Sequence, residues 1–169
     1  MKFNKLVENV VNIFSEHENI TIYGSPVAGG KTLKSIEKSL EELSKNKRVL
    51  FLSTEEKPLP LYINFIEVAK MLSGDYPEYE KYSKNELSRT RNLMITELNV
   101  GMSFDEWLEF SEVVNYDTIR RQVIEFKPDL VVIDHYPGDF KDLEKFQSIL
   151  EEFNAKGIVT RQLSRNMIA

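Results

Sequence analysis

The chain has 169 residues, 41% hydrophobic and 29% charged, which suits one globular domain with a sizeable core. It has no cysteine, so disulfides, thiolate zinc sites and cysteine nucleophiles are excluded, and two histidines, His17 and His135, are too few for a histidine-rich metal site. A formal net charge of −5 lends no support to nucleic-acid binding by global charge. No run reaches the apolar length of a membrane span and the N-terminus does not read as a signal peptide, so a cytoplasmic protein with no membrane partner is expected.

In chain order, Phe3, Leu6, Val7, Val10, Val11 and Phe14 recur at helical spacing. They predict an amphipathic helix over residues 1–16, packed on a sheet edge or, alternatively, presented to a partner. Asn19-Ile20-Thr21-Ile22-Tyr23 is a short β-branched run. After Gly24 comes Ser25-Pro26-Val27-Ala28-Gly29-Gly30-Lys31-Thr32, and then a helical segment with Leu33, Ile36, Leu40 and Leu43 on one face. Strand, Gly-rich loop, Lys-Thr, helix is the order a phosphate-binding loop requires. Small residues let consecutive N–H groups turn towards phosphate oxygens, and the helix N-terminus adds partial positive charge. The lysine reaches the β- and γ-phosphates, and the hydroxyl after it ligates magnesium. The strict pattern has glycine where this chain has Ser25, and a plain Gly-rich turn into a helix is the bland alternative.

Arg48-Val49-Leu50-Phe51-Leu52-Ser53 reads as a buried strand, which makes Ile20–Leu52 a parallel crossover unit. Glu55 and Glu56 follow its carboxyl end, the edge where α/β sheets bind ligands. Such a pair is ordinarily a solvated loop; its functional reading is Glu55 as the carboxylate that polarises an attacking water. Pro60 suits the first turn of a helix carrying Leu61, Phe65, Val68 and Leu72. Residues 73–82 read as a surface loop. Ser83-Lys84-Asn85-Glu86 is a capping-box pattern, predicting a helix with Leu87, Met94, Ile95 and Leu98 inward. Residues 107–114 read as a short helix or as a strand in their second half, with Trp107 in the core. Asp117 caps a helix bearing Ile119, Gln122, Val123 and Phe126.

Leu130-Val131-Val132-Ile133-Asp134 is an apolar strand ending in an acid. A phosphate-loop enzyme needs such a carboxylate opposite its lysine, to orient a magnesium-bound water together with the loop hydroxyl. His135 follows directly, either as a structural residue or as a contact to phosphate or substrate. Leu143, Phe146, Ile149, Leu150 and Phe153 mark a last helix, and Ile158-Val159-Thr160 a last strand. Lys47-Arg48, Arg89-Thr90-Arg91 and Arg120-Arg121 are short basic clusters, read as surface charge with nucleic-acid contact as the alternative. The expected architecture is a single three-layer α/β domain over residues 1–169 with a mostly parallel sheet.

Four segments together resemble the RecA-like motor domain, most closely that of DnaB-type replicative helicases. Ser25–Thr32 is similar to that family's loop, which tolerates a small non-glycine residue at its start. Val49–Glu55 resembles its second strand, which ends in serine, one residue and the catalytic glutamate. Lys127–Asp134 resembles its magnesium strand. Val159-Thr160-Arg161-Gln162-Leu163-Ser164-Arg165 resembles its glutamine motif. The resemblance implies a RecA-like P-loop ATPase using ATP and Mg2+ in DNA replication or recombination, in the cytoplasm of a bacterial or phage-infected cell. Loop residues 25–32 would hold phosphate, Thr32 and Asp134 the magnesium, and Glu55 the attacking water. Gln162 would sense the γ-phosphate and couple it to single-stranded DNA. The family's sites form between subunits, so a homo-oligomer or a helicase or recombinase partner is implied. Residues 163–169 correspond to the start of its DNA-binding loop. The family's chain continues beyond that loop to its arginine finger, for which Arg161 or Arg165 is the nearest substitute here. The expectation is therefore a motor, or a fragment or minimal relative of one. A regulatory or adaptor protein that binds nucleotide but scarcely hydrolyses it is the alternative, and a small-molecule kinase a weaker third.

Overall fold

The computed structural model describes residues 2–27, 29–98 and 114–163. Ala28, Trp107 with the strand expected beside it, and Arg165 with residues 164–169 lie outside the described residues. Among the described residues six strands form one sheet: β1 Val11–Ile13, β2 Ile20–Ser25, β3 Val49–Ser53, β4 Leu93–Glu97, β5 Leu130–Asp134 and β6 Lys156–Gln162. Their order is β1-β2-β6-β5-β3-β4. Every neighbouring pair is parallel except β1 with β2. The helices are α1 Lys2–Leu6, α2 Lys31–Ser44, α3 Pro58–Ser73, α4 Glu86–Arg89, α5 Tyr116–Phe126 and α6 Leu143–Glu152, with 3-10 turns at Pro77–Ser83 and Phe140–Asp142.

The pleat sends alternate side chains to opposite faces of the sheet. Ile20, Ile22, Leu50, Leu52, Val131, Ile133 and Val159 meet Ile119 and Val123 of α5 and Phe146 and Leu150 of α6. On the other face Val49, Phe51, Leu130, Val132 and Ile158 meet Ile36 and Leu40 of α2, Leu61 and Phe65 of α3, and Phe3 of α1. Helices thus cover both faces, giving three layers. This is why every residue of β3 and β5 is buried and neither strand shows polar alternation. Phe51 is fully buried and meets the Phe65 ring edge-on, with centroids 5.4 Å apart. Phe51→Ala is expected to destabilise the fold by about 3–5 kcal/mol in denaturant unfolding, from lost burial plus the cavity it leaves.

Four sequence expectations need correction, the simplest being the cap of α5, which is Asn115, accepting the Thr118 N–H at 3.1 Å, while Asp117 lies in the helix's first turn. The helix expected over residues 1–16 stops at Leu6; Val11–Ile13 instead pair antiparallel with Gly24, Tyr23 and Ile22. The outer edge of β2 offers unpaired N–H and C=O groups, and the β-branched residues Val11 and Ile13 suit a ladder there better than a helix. The expected apolar helix face does not form, and Phe14 is 85% exposed. The long helix expected from Ser83 is also absent. The Ser83 hydroxyl bonds the Glu80 carbonyl (2.7 Å), α4 lasts only four residues, and Leu93–Glu97 pair parallel with β3. Tertiary pairing overrides the helix propensity of Leu93 and Met94. Finally, residues 77–83 are not a solvated loop: Tyr79 and Tyr82 are buried in the α3 core.

Candidate active site

Parallel strands point their carboxyl ends to one edge of the sheet, and that edge gathers the residues in question. β2 runs directly into the Gly-rich loop, and α2 begins at Lys31. The loop is tightly folded: the Gly29 N–H donates to the Pro26 carbonyl at 2.9 Å. Ser25 is fully buried and its hydroxyl donates to the same carbonyl at 3.1 Å. A Cβ on Gly29 would fall 2.6 Å from the Ser25 Cβ. The serine in the first position thus fills space that residue 29 leaves open by being glycine. Gly30 has φ 93°, and a Cβ there would fall 2.2 Å from the Leu6 carbonyl oxygen, so glycine is required on both counts. Val27 is exposed at the loop tip.

Lys31 and Thr32 occupy the first turn of the 14-residue α2, which has no acidic residue in that turn. The N-terminal N–H groups and dipole of such a helix favour an anion. Thr32 Oγ1 donates to Asp134 Oδ2 at 2.9 Å, with Oδ1 at 3.2 Å, although the two residues are 102 positions apart. Thr160, on β6 between the loop strand and the acid strand, donates its hydroxyl to Asp134 Oδ1 at 2.6 Å. The same hydroxyl accepts the His135 N–H at 2.8 Å. Asp134 is 1% exposed. Burial raises its pKa above the ordinary carboxylate value, while the Thr160 and Thr32 hydroxyls and the charges of Lys31 and His135 oppose that rise.

β3 and β5 are in register, with Ser53 opposite Asp134, so the segments following them run side by side. The Ser53 hydroxyl accepts the N–H groups of Glu56 (2.9 Å) and Glu55 (3.3 Å) and fixes the turn. The Thr54 hydroxyl donates to the His135 carbonyl at 2.5 Å. Across this bridge Glu55 Oε2 lies 3.2 Å from His135 Nδ1, without the alignment of a hydrogen bond. The Glu55 side chain is 65% exposed and open to an incoming ligand.

Lys31, Thr32, Asp134 and Glu55 therefore share one edge of the sheet. Gln162 sits farther along that edge: it ends β6 opposite Ser25, is exposed, and its side chain makes no hydrogen bond among the described residues. Next to it Arg161 donates to the Gly138 carbonyl at 2.7 Å and stacks on Phe140, so its guanidinium is held beside the 135–140 segment. Sequence reasoning missed Thr160 and the link between His135 and Glu55. The available signal was a polar residue closing an apolar strand, since a buried hydroxyl needs a partner.

Among the described residues no group of three His, Cys, Asp or Glu side chains could hold a metal unaided. One hydroxyl and one carboxylate at a strand end suit magnesium, which keeps several waters and borrows phosphate oxygens. A cavity of about 600 Å³ opens at the opposite end of the strands, lined by Asn19, Lys38, Glu41, Asp129 and Lys156. Its charges are largely paired internally: Lys38 faces Glu41 at 3.5 Å and Asp129 accepts the Arg48 N–H. Among the described residues no helix is long and apolar enough to cross a membrane. No protein-family model matches the chain, and no curated protein matches it in sequence.

Proposed function

We propose that this chain is a magnesium-dependent ATP-binding and ATP-hydrolysing domain of the RecA-like type, closest to the motor domains of DnaB-type helicases and acting in DNA replication or recombination. The observation that carries this reading is the contact of the Thr32 hydroxyl with the buried Asp134 carboxylate, made at the end of the Gly-rich loop. A loop hydroxyl and a strand-end acid brought together in this way are the two protein ligands that a phosphate-bound magnesium needs. Magnesium, held by Thr32 and Asp134, would neutralise charge developing on the phosphate oxygens. Lys31 and the loop N–H groups bind and orient the phosphates. Glu55 takes the proton of the attacking water, and Gln162, which ends β6 opposite Ser25, senses the terminal phosphate and couples it to single-stranded DNA. The catalytic effect is positioning and charge stabilisation.

Binding of a fluorescent ATP analogue with and without Mg2+, in the parent chain and in Lys31→Ala, tests this. The lysine contributes charge-assisted hydrogen bonds of about 1.5–3 kcal/mol, so Kd should rise roughly 10- to 100-fold in the variant. Equal binding by both proteins, or binding indifferent to Mg2+, would sink the proposal.

A nucleotide-binding adaptor with little hydrolysis is the second reading. Glu55 favours it, because its exposed carboxylate makes no aligned hydrogen bond among the described residues that would aim it at an attacking water. Turnover stimulated by single-stranded DNA supports the motor; tight binding without turnover under any condition supports the adaptor.

A further inference from the structure

We propose that His135 is the positioning residue for Glu55: its Nδ1–H holds the Glu55 carboxylate at the height of the strand ends, where the attacking water must be met. This rests on the ATPase reading above and adds to it a residue through which the water-activating carboxylate is aimed.

Three observations converge. First, the His135 backbone sits at φ 61°, a left-handed conformation uncommon for a non-glycine residue. Two hydrogen bonds pin it there: its N–H donates to Thr160 and its carbonyl accepts from Thr54. Strain that is held in place by neighbours on both sides fixes where a side chain points. Secondly, Nδ1 is buried and makes no hydrogen bond among the described residues, yet lies 3.2 Å from Glu55 Oε2. A small rotation of the exposed Glu55 side chain converts that approach into a hydrogen bond. Thirdly, Glu55 has no other ion-pair partner among the described residues, although its backbone N–H is fixed by Ser53. Without His135 the carboxylate would swing freely in solvent. The arrangement works with a neutral imidazole carrying its proton on Nδ1 as well as with the imidazolium, because Nδ1–H is present in both.

The chain of contacts also explains the bond pattern around Thr160. Its hydroxyl donates to the metal-side acid and accepts from the backbone of the positioning residue. Asp134 and the Glu55 holder are thereby set from one atom, at a distance that does not depend on solvent.

Three variants separate donor placement from folding. Glycine is at ease at φ 61°, so His135→Gly keeps both backbone hydrogen bonds and the fold while removing the side chain. Asparagine tolerates the same backbone and places its amide N–H near the position of Nδ1; glutamine places it near that of Nε2. Steady-state ATP hydrolysis is measured for the parent chain, the three variants and Glu55→Gln, with melting temperatures alongside. We expect His135→Gly and His135→Gln to lose about 10- to 100-fold in kcat at unchanged KM, the range seen when a supporting hydrogen-bond partner is removed. His135→Asn should stay near the parent rate. Parent-like kcat in His135→Gly, with turnover still lost in Glu55→Gln, would overturn the positioning role and leave the ATPase reading standing. Asparagine as slow as glycine would also overturn it. Absence of hydrolysis in the parent chain would overturn both.

Discussion

Glu55→Gln is expected to bind ATP as tightly as the parent chain and to hydrolyse it about 10²–10⁴ times more slowly. The amide has the shape of the carboxylate but cannot accept the proton that the attacking water gives up. Its backbone place is secure, because the Glu55 and Glu56 N–H groups are held by the Ser53 hydroxyl whatever the side chain. The exposed side chain is in no core, so stability should change by less than about 0.5 kcal/mol. Single-turnover hydrolysis, with analogue binding measured in parallel, checks both halves. A variant that hydrolyses at the parent rate would assign water activation elsewhere; one that also fails to bind would make Glu55 a phosphate or metal contact.

Asp134→Asn should move activity and stability in opposite directions. Loss of the carboxylate removes the charge that would hold magnesium, and turnover should fall by about 10²–10³-fold, the scale of losing one preorganised electrostatic contact. Stability should rise at neutral pH. Burial pushes the Asp134 pKa up in the folded chain. A raised carboxyl pKa contributes stability that is complete below the unfolded value, about pH 4, and declines as pH rises through the folded value. At pH 7 the buried anion is therefore a net cost that asparagine lacks, while the Thr160 and Thr32 hydroxyls can still bond the amide. The melting temperature of Asp134→Asn should exceed the parent's at pH 7, by about 2–4 °C for each 1 kcal/mol gained, with the gap closing towards about pH 4. Added Mg2+ and nucleotide should raise the melting temperature of the parent only. A variant less stable than the parent at pH 7 would show that the two threonine hydroxyls outweigh the desolvation of the charge.

What the sequence disclosed about this fold follows from which interactions are local. The run Val49–Leu52 and the run Leu130–Ile133 are apolar throughout because both faces of their strands are covered, and such runs announce themselves. Leu33, Ile36, Leu40 and Leu43 mark α2 by period, and Gly30 marks its start. Strand pairing at the two edges was not legible. Val10–Ile13 and Leu93–Glu97 each carry a helical spacing as good as their strand spacing, and what decides them is a neighbour far along the chain: Gly24–Ile22 for one, Val49–Ser53 for the other. In the candidate site, the residue types that chemistry needs at fixed places, Lys31, Thr32, Glu55 and Asp134, could be named from spacing. Thr160 could not, and His135 could be named only as a structural residue or a phosphate or substrate contact, because their links lie in hydrogen bonds between β5, β6 and the turn after β3, made only once the strands stand in order.

The Leu6 carbonyl against Gly30 has a consequence for how this loop would age. Glycine at position 30 is demanded by its own backbone angle and by the packing of the N-terminal arm, and neither demand involves a nucleotide. The Lys31 side chain makes no hydrogen bond or ion pair among the described residues, and what the fold draws from it is the charge that partly offsets the burial of Asp134. If the proposed ATP binding were lost in a lineage, selection on folding alone would hold Gly30 more firmly than Lys31. A relative that kept the two glycines and lost the lysine would be a descendant that retained the scaffold after its chemistry had lapsed.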